Sequence, residues 1–250
     1  MAGHNKWSKV KHRKAVVDKR RSKAWSMCSR AIIVAARTAG PDPEFNVSLR
    51  QAIDEARYYN MPNDNIERAI KKGAGGGVGE DYEFVRYEGY GPGGVAVVID
   101  ALTDNRTRTA GDVRLLFTKH SGKLGATGCV SHQFEQKGRL TVIGGGDEDK
   151  VFEIAVGAGA DDVRKGDEPG HFDVLCVPTD FGKVRDGLLR AGLKVGESAI
   201  EMFPTVMVTV AGEQAEELID LVDGLEENDD VKKVYSNADI PESELARLAE

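Results

Sequence analysis

The residue types with the clearest chemical potential are the cations near the N-terminus. Residues 1–30 contain ten Lys or Arg side chains and one acid, Asp18, which gives this segment a net charge of +9. Each cation that neutralises a phosphate releases condensed counterions, so a segment of this kind predicts binding to a polyanion. The residues that we assign to nucleic-acid contacts are Lys6, Trp7, Lys9, Lys11, His12, Arg13, Lys14, Lys19, Arg20, Arg21 and Lys23.

Two side chains in this basic segment add a second kind of chemistry. Trp7 and His12 can stack on an unpaired base, an interaction worth about 1–3 kcal/mol for an aromatic side chain. The spacing matches neither a helix-turn-helix nor a zinc finger, so the charge predicts a polyanion without specifying which one. A solvated basic helix without a partner is the alternative interpretation.

The remainder of the chain has the opposite charge. Beyond residue 30 there are 24 basic and 40 acidic side chains, a net charge of −16, and the whole chain carries −7. Residues 213–250 alone contain 13 acids and three bases. This asymmetry is typical of a protein that meets a polyanion with one region. The acidic region could hold the basic segment in an autoinhibited state, but we favour a contribution to solubility.

The sequence contains no recognisable catalytic pattern. No two histidines have metal-binding helical spacing, and there is no Gly-x-Ser-x-Gly nucleophile elbow. The cysteines Cys28, Cys129 and Cys176 are single, which argues against a disulfide framework and a zinc site. Cys129 lies near His132 in sequence, but a buried structural cysteine is favoured because a Cys–His pair requires convergence in space. We therefore predict no enzyme activity, no cofactor, no metal and no small-molecule substrate.

Two glycine-rich motifs resemble phosphate-binding loops, but the sequence around each of them argues against that function. Gly89–Gly94 matches Gly-x-Gly-x-x-Gly, but a strand follows it where a dinucleotide site requires a helix, so we predict a tight turn. Gly73–Gly79 has five glycines in seven residues and lacks the Gly-Lys-Ser/Thr ending of a phosphate-binding loop. We predict that it is an interdomain linker that lets the two sides reorient.

A second set of candidate contacts flanks a predicted strand over Val95–Ala101. Tyr87 and Tyr90 flank the glycine turn and could stack on bases, while Arg106 and Arg108 follow the strand and could meet phosphates. A solvated helix start is the favoured interpretation of the two arginines. The seven strand residues separate the loops by about 20 Å, so we do not expect one site.

The predicted elements place these residues in an α+β multidomain protein. Apolar residues recur at helical spacing from Trp25 to Ala36 and in two further helices, which predicts a basic helical domain with its linker over residues 1–79. Residues 137–203 read as βαββαβ, a ferredoxin-like order. Residues 80–136 and 204–250, with strands predicted over Thr127–Phe134 and Thr205–Val210, would form a second sandwich of that type into which the first is inserted. Two sequential α+β domains are the alternative.

Several long strings resemble the YebC/PmpR family. They include Met1–Lys14, Asp42–Asn46, Asn60–Ala74, Tyr87–Ala96 and Ala101–Thr109, so the resemblance covers essentially the whole chain. Two segments depart from the family pattern. Arg20-Arg-Ser-Lys23 lacks a glycine, which favours a continuous helix, and Ser131-His-Gln133 is polar where relatives tend to be apolar.

The resemblance implies three domains, a helical one followed by two α/β domains, with no catalytic residue or cofactor. It further implies a probable transcriptional regulator that binds DNA. Mitochondrial relatives activate translation of a cytochrome oxidase subunit, and bacterial members are tied to stalled ribosomes, so a ribosomal RNA-associated translation factor is the alternative. No apolar run reaches the roughly 18 residues of a membrane span and no secretory signal is recognised, so we expect a cytoplasmic protein without a membrane partner. The oligomeric state does not follow from the sequence.

Overall fold

The computed structural model describes residues 17–75, 81–144, 147–166 and 168–248. The chain divides into two compact units, the first formed by residues up to Glu135 and from Pro204 onward, and the second by Gln136–Phe203. The three-domain division drawn from the sequence stays a prediction. Among the described helices, none has the length and apolarity needed to cross a membrane.

The first unit begins with three helices, α1 (Val17–Ala39), α2 (Val47–Tyr58) and α3 (Asn63–Gly73). Their apolar faces pack into one core that includes Ile32, Leu49 and Ile66. The buried Asn46 side chain caps α2 by accepting from the Leu49 amide at 3.0 Å and donates to the Ala35 carbonyl at 2.8 Å. The helical periodicity predicted from Trp25 onward is therefore confirmed.

An antiparallel sheet follows in the same unit. Its strands are β1 (Glu83–Tyr90), β2 (Ala96–Thr103), β3 (Lys123–Leu124) and β9 (Val231–Ser236), in the order β3-β1-β2-β9. Helices α4 (Arg106–Lys119) and α7 (Gly212–Glu227) contribute Phe117 and Leu221 to its core. The short parallel pair β8 (Val208–Thr209) and β10 (Ala238–Asp239) and helix α8 (Glu242–Leu248) complete the unit.

The glycine motif Gly89–Gly94 is the turn of the β1–β2 hairpin. A short 3₁₀ turn over Pro92–Gly94 joins the two strands, and Gly93 and Gly94 have φ values of 69° and 76°. Only glycine adopts this left-handed backbone without strain, which explains the residue type. The predicted tight turn is confirmed.

The second unit has the βαββαβ order that the sequence predicts. Its elements are β4 (Phe134–Ile143), α5 (Glu148–Ala158), β5 (Asp162–Lys165), β6 (Phe172–Cys176), α6 (Phe181–Arg190) and β7 (Lys194–Pro204). The strand order is β5-β6-β4-β7, and the described β4–β6 and β5–β6 pairs are antiparallel. This is the ferredoxin-like arrangement, and the predicted α+β fold class is confirmed.

Two predicted strands differ from the structure. Thr127–Phe134 is not a strand, because residues 125–130 form a loop, Ser131–Gln133 a 3₁₀ turn, and β4 starts only at Phe134. Of Thr205–Val210, only Val208–Thr209 pairs. Strand β1 was not predicted from the sequence. Because β1 pairs with β2, the first sheet begins with a hairpin, and its strand order differs from that of the second unit.

Ion pairs fix the helical region against the first sheet. Lys232 on β9 donates to Glu55 on α2 at 2.8 Å, and Arg30 on α1 reaches the β2 and β9 ends. The linker prediction for Gly73–Gly79 falls partly on residues 76–79, outside the described part of the chain. Reorientation through that segment would require these ion pairs to break.

Candidate nucleic-acid interface

Most of the basic segment precedes the described residues. Lys6, Trp7, Lys9, Lys11, His12, Arg13 and Lys14 lie outside them. Lys19, Arg20 and Arg21 lie in the first two turns of α1, where the backbone alone is described. Their assignment to nucleic-acid contacts stays a prediction. Lys23 is the first of the candidate residues whose side chain is described.

Lys23 binds the protein's own backbone. Its Nζ donates to the carbonyl oxygens of Glu226 and Asn228, the latter at 2.7 Å, where α7 ends. Carbonyls in the last turn of a helix lack intrahelical partners and carry the negative end of the helix dipole, so a cation stabilises them. Burial lowers the pKa of Lys23, although nearby acids including Asp229 oppose the shift. Lys23 thus has a structural role, and a nucleic-acid contact would have to break these bonds.

Arg30 connects α1 to the sheet in the same way. Its Nη1 donates to the carbonyl oxygens of Leu102 and Asp229, both at 2.9 Å, and to Asp230 Oδ1 at 2.8 Å. The guanidinium also lies 4.8 Å from the centroid of the Tyr82 ring, in cation–π range. The C-terminal end of the basic region is therefore attached to residues 226–230 of the acidic region.

Asp230 is a buried carboxylate on which two arginines converge. Arg108 Nη2 donates to Asp230 Oδ2 at 2.7 Å and to Asp104 Oδ1 at 2.7 Å, and the Thr109 hydroxyl donates to Asp230 at 2.8 Å. Burial alone would raise the pKa of Asp230, but the hydrogen bonds from Arg108, Thr109 and Arg30 outweigh it and lower the pKa. Arg108, predicted as a possible phosphate contact, is engaged in this network.

The structure brings Tyr87 and Arg106 together and leaves Tyr90 apart. The Tyr87 hydroxyl donates to the Arg106 carbonyl at 3.2 Å, and the Arg106 guanidinium lies 3.6 Å from Glu83 with 64% of its side chain exposed. Tyr90 lies at the other end of β1, where its hydroxyl donates to the Cys129 carbonyl at 3.2 Å. Arg106 is thus the more accessible of the two predicted arginines.

A basic and aromatic cleft between α1 and α3 was missed by the sequence analysis. Its volume is about 360 Å³, and its lining consists of Trp25, Ser26, Ser29, Arg30, Ile33, Met61, Asn65, Arg68, Ala69, Lys72 and Tyr82. We call it the α1–α3 cleft. Trp25 packs against the helical core, as its spacing predicts, and its half-buried ring also lines the cleft, with Nε1 donating to the Tyr59 carbonyl at 2.9 Å. The i, i+4 spacing of Arg68 and Lys72 is a sequence signal that could have predicted one basic face of α3.

Burial disfavours ionisation of the three thiols, although Cys129, predicted to be buried, is only partly buried. Burial raises the pKa of Cys28 to about 12 and that of Cys176 to about 11, and it also raises the pKa of Cys129. A thiol is nucleophilic as its thiolate, so these cysteines are poor nucleophiles at neutral pH. Among the residues that the structure describes, no group of three His, Cys, Asp or Glu side chains is placed to hold a metal ion.

Two family models together match most of the chain. The TACO1/YebC protein N-terminal domain matches residues 5–76, and the TACO1/YebC second and third domain matches residues 82–238. The chain therefore belongs to the TACO1/YebC family, as its resemblance to YebC/PmpR proteins indicated.

Individual relatives agree with this assignment over their full length. A probable transcriptional regulatory protein from Geotalea uraniireducens is 49% identical over 248 residues, which cover 99% of this chain and 100% of the relative. One from Geobacter sulfurreducens is 48% identical over the same share of both chains. The crystal structure of a conserved hypothetical protein from Aquifex aeolicus is 47% identical and has a TM-score of 0.83, with 93% of this chain and 96% of the other covered.

Proposed function

We propose that this chain is a non-catalytic regulator that binds DNA through its N-terminal basic segment. The observation that carries the proposal is the charge separation, with a net +9 in residues 1–30 and −16 in the rest. A negatively charged body repels phosphate, so affinity has to come from the basic segment. The name of the relatives, probable transcriptional regulatory protein, supports DNA as the target and thus a cytoplasmic location.

The anchoring of α1 supports the same proposal. Lys23 and Arg30 attach this helix to residues 226–230, so Lys19, Arg20 and Arg21 in its first two turns belong to an anchored helix. Two candidate cations, Lys23 and Arg108, are engaged in hydrogen bonds within the fold. The binding set that we propose is therefore concentrated between Lys6 and Arg21, with Arg106 as an accessible secondary contact.

The test is the salt dependence of binding to duplex DNA, measured by fluorescence anisotropy. If about six cations contact phosphates, the logarithm of the association constant should fall linearly with the logarithm of the salt concentration, with a slope near −4 to −5. Replacement of Lys9, Lys11, Arg13 and Lys14 by Glu should flatten that slope and weaken binding many-fold on any sequence.

A matched control separates a local effect from overall charge. Replacement of four exposed cations of the second unit by Glu changes the net charge equally and should retain most of the affinity; these are Lys150, Lys165, Lys183 and Arg190. Equal losses in both variants would contradict the proposal. If the protein sediments with ribosomal subunits in high salt and shows no binding to DNA, the translation-factor alternative replaces it.

A further inference from the structure

The α1–α3 cleft has the composition of a nucleotide site. Its volume of about 360 Å³ lies within the range of small-molecule pockets, roughly 300–1,000 Å³. The floor is apolar, formed by the buried side chains of Ile33, Met61 and Ala69, and polar groups of Ser26, Ser29 and Asn65 surround it. An apolar floor with a few polar groups can hold the face of a base and hydrogen-bond its edge.

The charge of the lining favours a phosphate. Arg30, Arg68 and Lys72 line the cleft, and no carboxylate is among the lining residues described, but Arg30 is paired with Asp230 outside the lining. The exposed Arg68 guanidinium donates to neutral acceptors of its own helix, the Asp64 carbonyl at 3.2 Å and the Asn65 side-chain oxygen. Those bonds leave its charge without neutralisation by a carboxylate, and a guanidinium fork matches phosphate geometry.

One aromatic side chain, Trp25, supplies a stacking surface, and a second, Tyr82, positions cations beside it. The bond from Trp25 Nε1 to the Tyr59 carbonyl fixes the orientation of the indole ring. The Tyr82 ring holds two cations beside the cleft, since the Arg30 guanidinium lies over it at 4.8 Å and Lys72 Nζ at 5.9 Å from its centroid. Aromatic rings beside cations are the usual means of holding unpaired bases without sequence preference.

The position of the cleft connects it with the basic segment. Trp25 and Arg30 lie on α1, the helix whose first two turns contain Lys19, Arg20 and Arg21. We propose that the cleft binds one unpaired nucleotide of the target, with its phosphate on Arg68 and Lys72 and its base against Trp25. This inference rests on the proposed function and adds a preference for unpaired over fully duplex nucleic acid.

Trp25 provides a direct readout. The chain has two tryptophans, so Trp25 is the remaining one in a Trp7→Phe background. Titration with single-stranded DNA or RNA about 20 nucleotides long should quench its fluorescence, whereas duplex DNA of the same sequence should not, because stacking requires an exposed base face. Comparison of the DNA and RNA strands shows which sugar the cleft prefers.

Arg68→Gln tests the phosphate contact, and Lys71→Gln is its matched control. Both residues are exposed cations on α3, but Lys71 does not line the cleft. Arg68→Gln should weaken single-strand binding about 3- to 10-fold and reduce the salt slope by about 0.7. Lys71→Gln should change either quantity much less. Circular dichroism of both variants should match the parent, since neither side chain is buried.

The outcomes separate this inference from the proposed function. If the four-residue Glu variant loses DNA binding but Trp25 fluorescence is unchanged and Arg68→Gln behaves like Lys71→Gln, the cleft proposal is wrong and the proposed function stands. If no nucleic acid binds, both are wrong. Quenching by an acidic peptide that depends on Arg68, with none by oligonucleotides, would replace the nucleotide by a protein segment.

Discussion

Both units of the protein bury a cluster of ion pairs, but the two clusters have opposite compositions. In the first unit, one carboxylate, Asp230, accepts from the guanidinium groups of Arg30 and Arg108. In the second unit, one guanidinium faces three carboxylates, since Arg139 lies 2.9 Å from Glu201, 3.2 Å from Glu197 and 3.5 Å from Asp173.

The clusters also differ in what they connect. Arg30 and Arg108 are 200 and 122 residues from Asp230 in sequence, and they lie on α1 and α4. The Asp230 cluster therefore attaches the helical region to the sheet. The partners of Arg139 lie on β6 and β7 of the same sheet, so that cluster connects strands that already share hydrogen bonds. We infer that loss of Asp230 affects more of the fold than loss of Arg139.

The largest effect is expected for Asp230→Ala. It leaves two guanidinium groups without their shared acceptor and should lower the free energy of unfolding of the first unit by about 3–5 kcal/mol. Urea unfolding followed by tryptophan fluorescence measures this. Asp229→Ala, which removes an exposed neighbouring carboxylate, should stay within about 0.5 kcal/mol of the parent. Similar losses in the two variants would refute the role of Asp230.

Arg139→Met should have a somewhat smaller and more local effect. Three carboxylates would be left close together, which should destabilise the second unit by about 3 kcal/mol at neutral pH. Hydrogen exchange should accelerate in β4, β6 and β7 and stay unchanged in the helical region. Arg164→Met, which breaks an exposed pair with Asp162, should change stability by less than about 1 kcal/mol. If hydrogen exchange also accelerated in helices α1–α3, the Arg139 cluster would stabilise as much of the fold as the Asp230 cluster, and the comparison would be wrong.

Glu88→Gln tests a buried carboxylate whose hydrogen-bond donors are backbone amides of the loop before β4. Glu88 accepts from the amides of Gly128, Val130 and Ser131, each at 2.9 Å. Glutamine has one acceptor oxygen, so we expect a loss of about 2 kcal/mol and faster exchange of these amides. Exchange of the β2 amides should be unchanged. If the three amides kept their protection, the loop would not depend on the carboxylate charge.

The smallest effect is a change in the pH dependence of stability. Burial would raise the pKa of Glu88, but the three amide bonds lower it, and the pKa of Asp230 is also lowered. Both groups therefore stabilise the fold above their unfolded pKa values, near 4, and this stabilisation is lost as the pH falls through the folded values. Asp230→Asn should lose less stability than the parent between about pH 5 and pH 2. If the stability of Asp230→Asn and that of the parent changed with pH in the same way, the lowered pKa of Asp230 would be contradicted.

The same comparison explains why some elements could be predicted and others could not. Helices α1–α3 and the elements of the second unit carry regular apolar periodicity, because each buries one face. Strand β1 escaped prediction because Arg86 and Glu88 interrupt its apolar pattern. Arg86 is neutralised by Asp100 at 2.7 Å across the sheet, and hydrogen bonds from backbone amides 40 to 43 residues away stabilise the Glu88 carboxylate.

Part of the candidate site could likewise be predicted from the sequence, and part could not. The basic segment is visible in the sequence since charge is a property of composition, and Arg106 retains the exposure that its position suggested. The α1–α3 cleft was not predicted, because Trp25 and Tyr82 are 57 positions apart and nothing in either local pattern shows that they share a lining.

The sequence by itself determined the charge separation, the family, the helical periodicity and the βαββαβ order, because each depends on residues that are neighbours along the chain. The tertiary structure alone decided which charges are free to act. Lys23 and Arg108 look like phosphate ligands in sequence, yet Lys23 donates to carbonyls 203 and 205 residues away, and Arg108 donates to Asp230, 122 residues away, as well as to the nearby Asp104. A side chain's partner depends on distance in space, and hydrogen bonds to those distant partners turn two candidate ligands into parts of the fold.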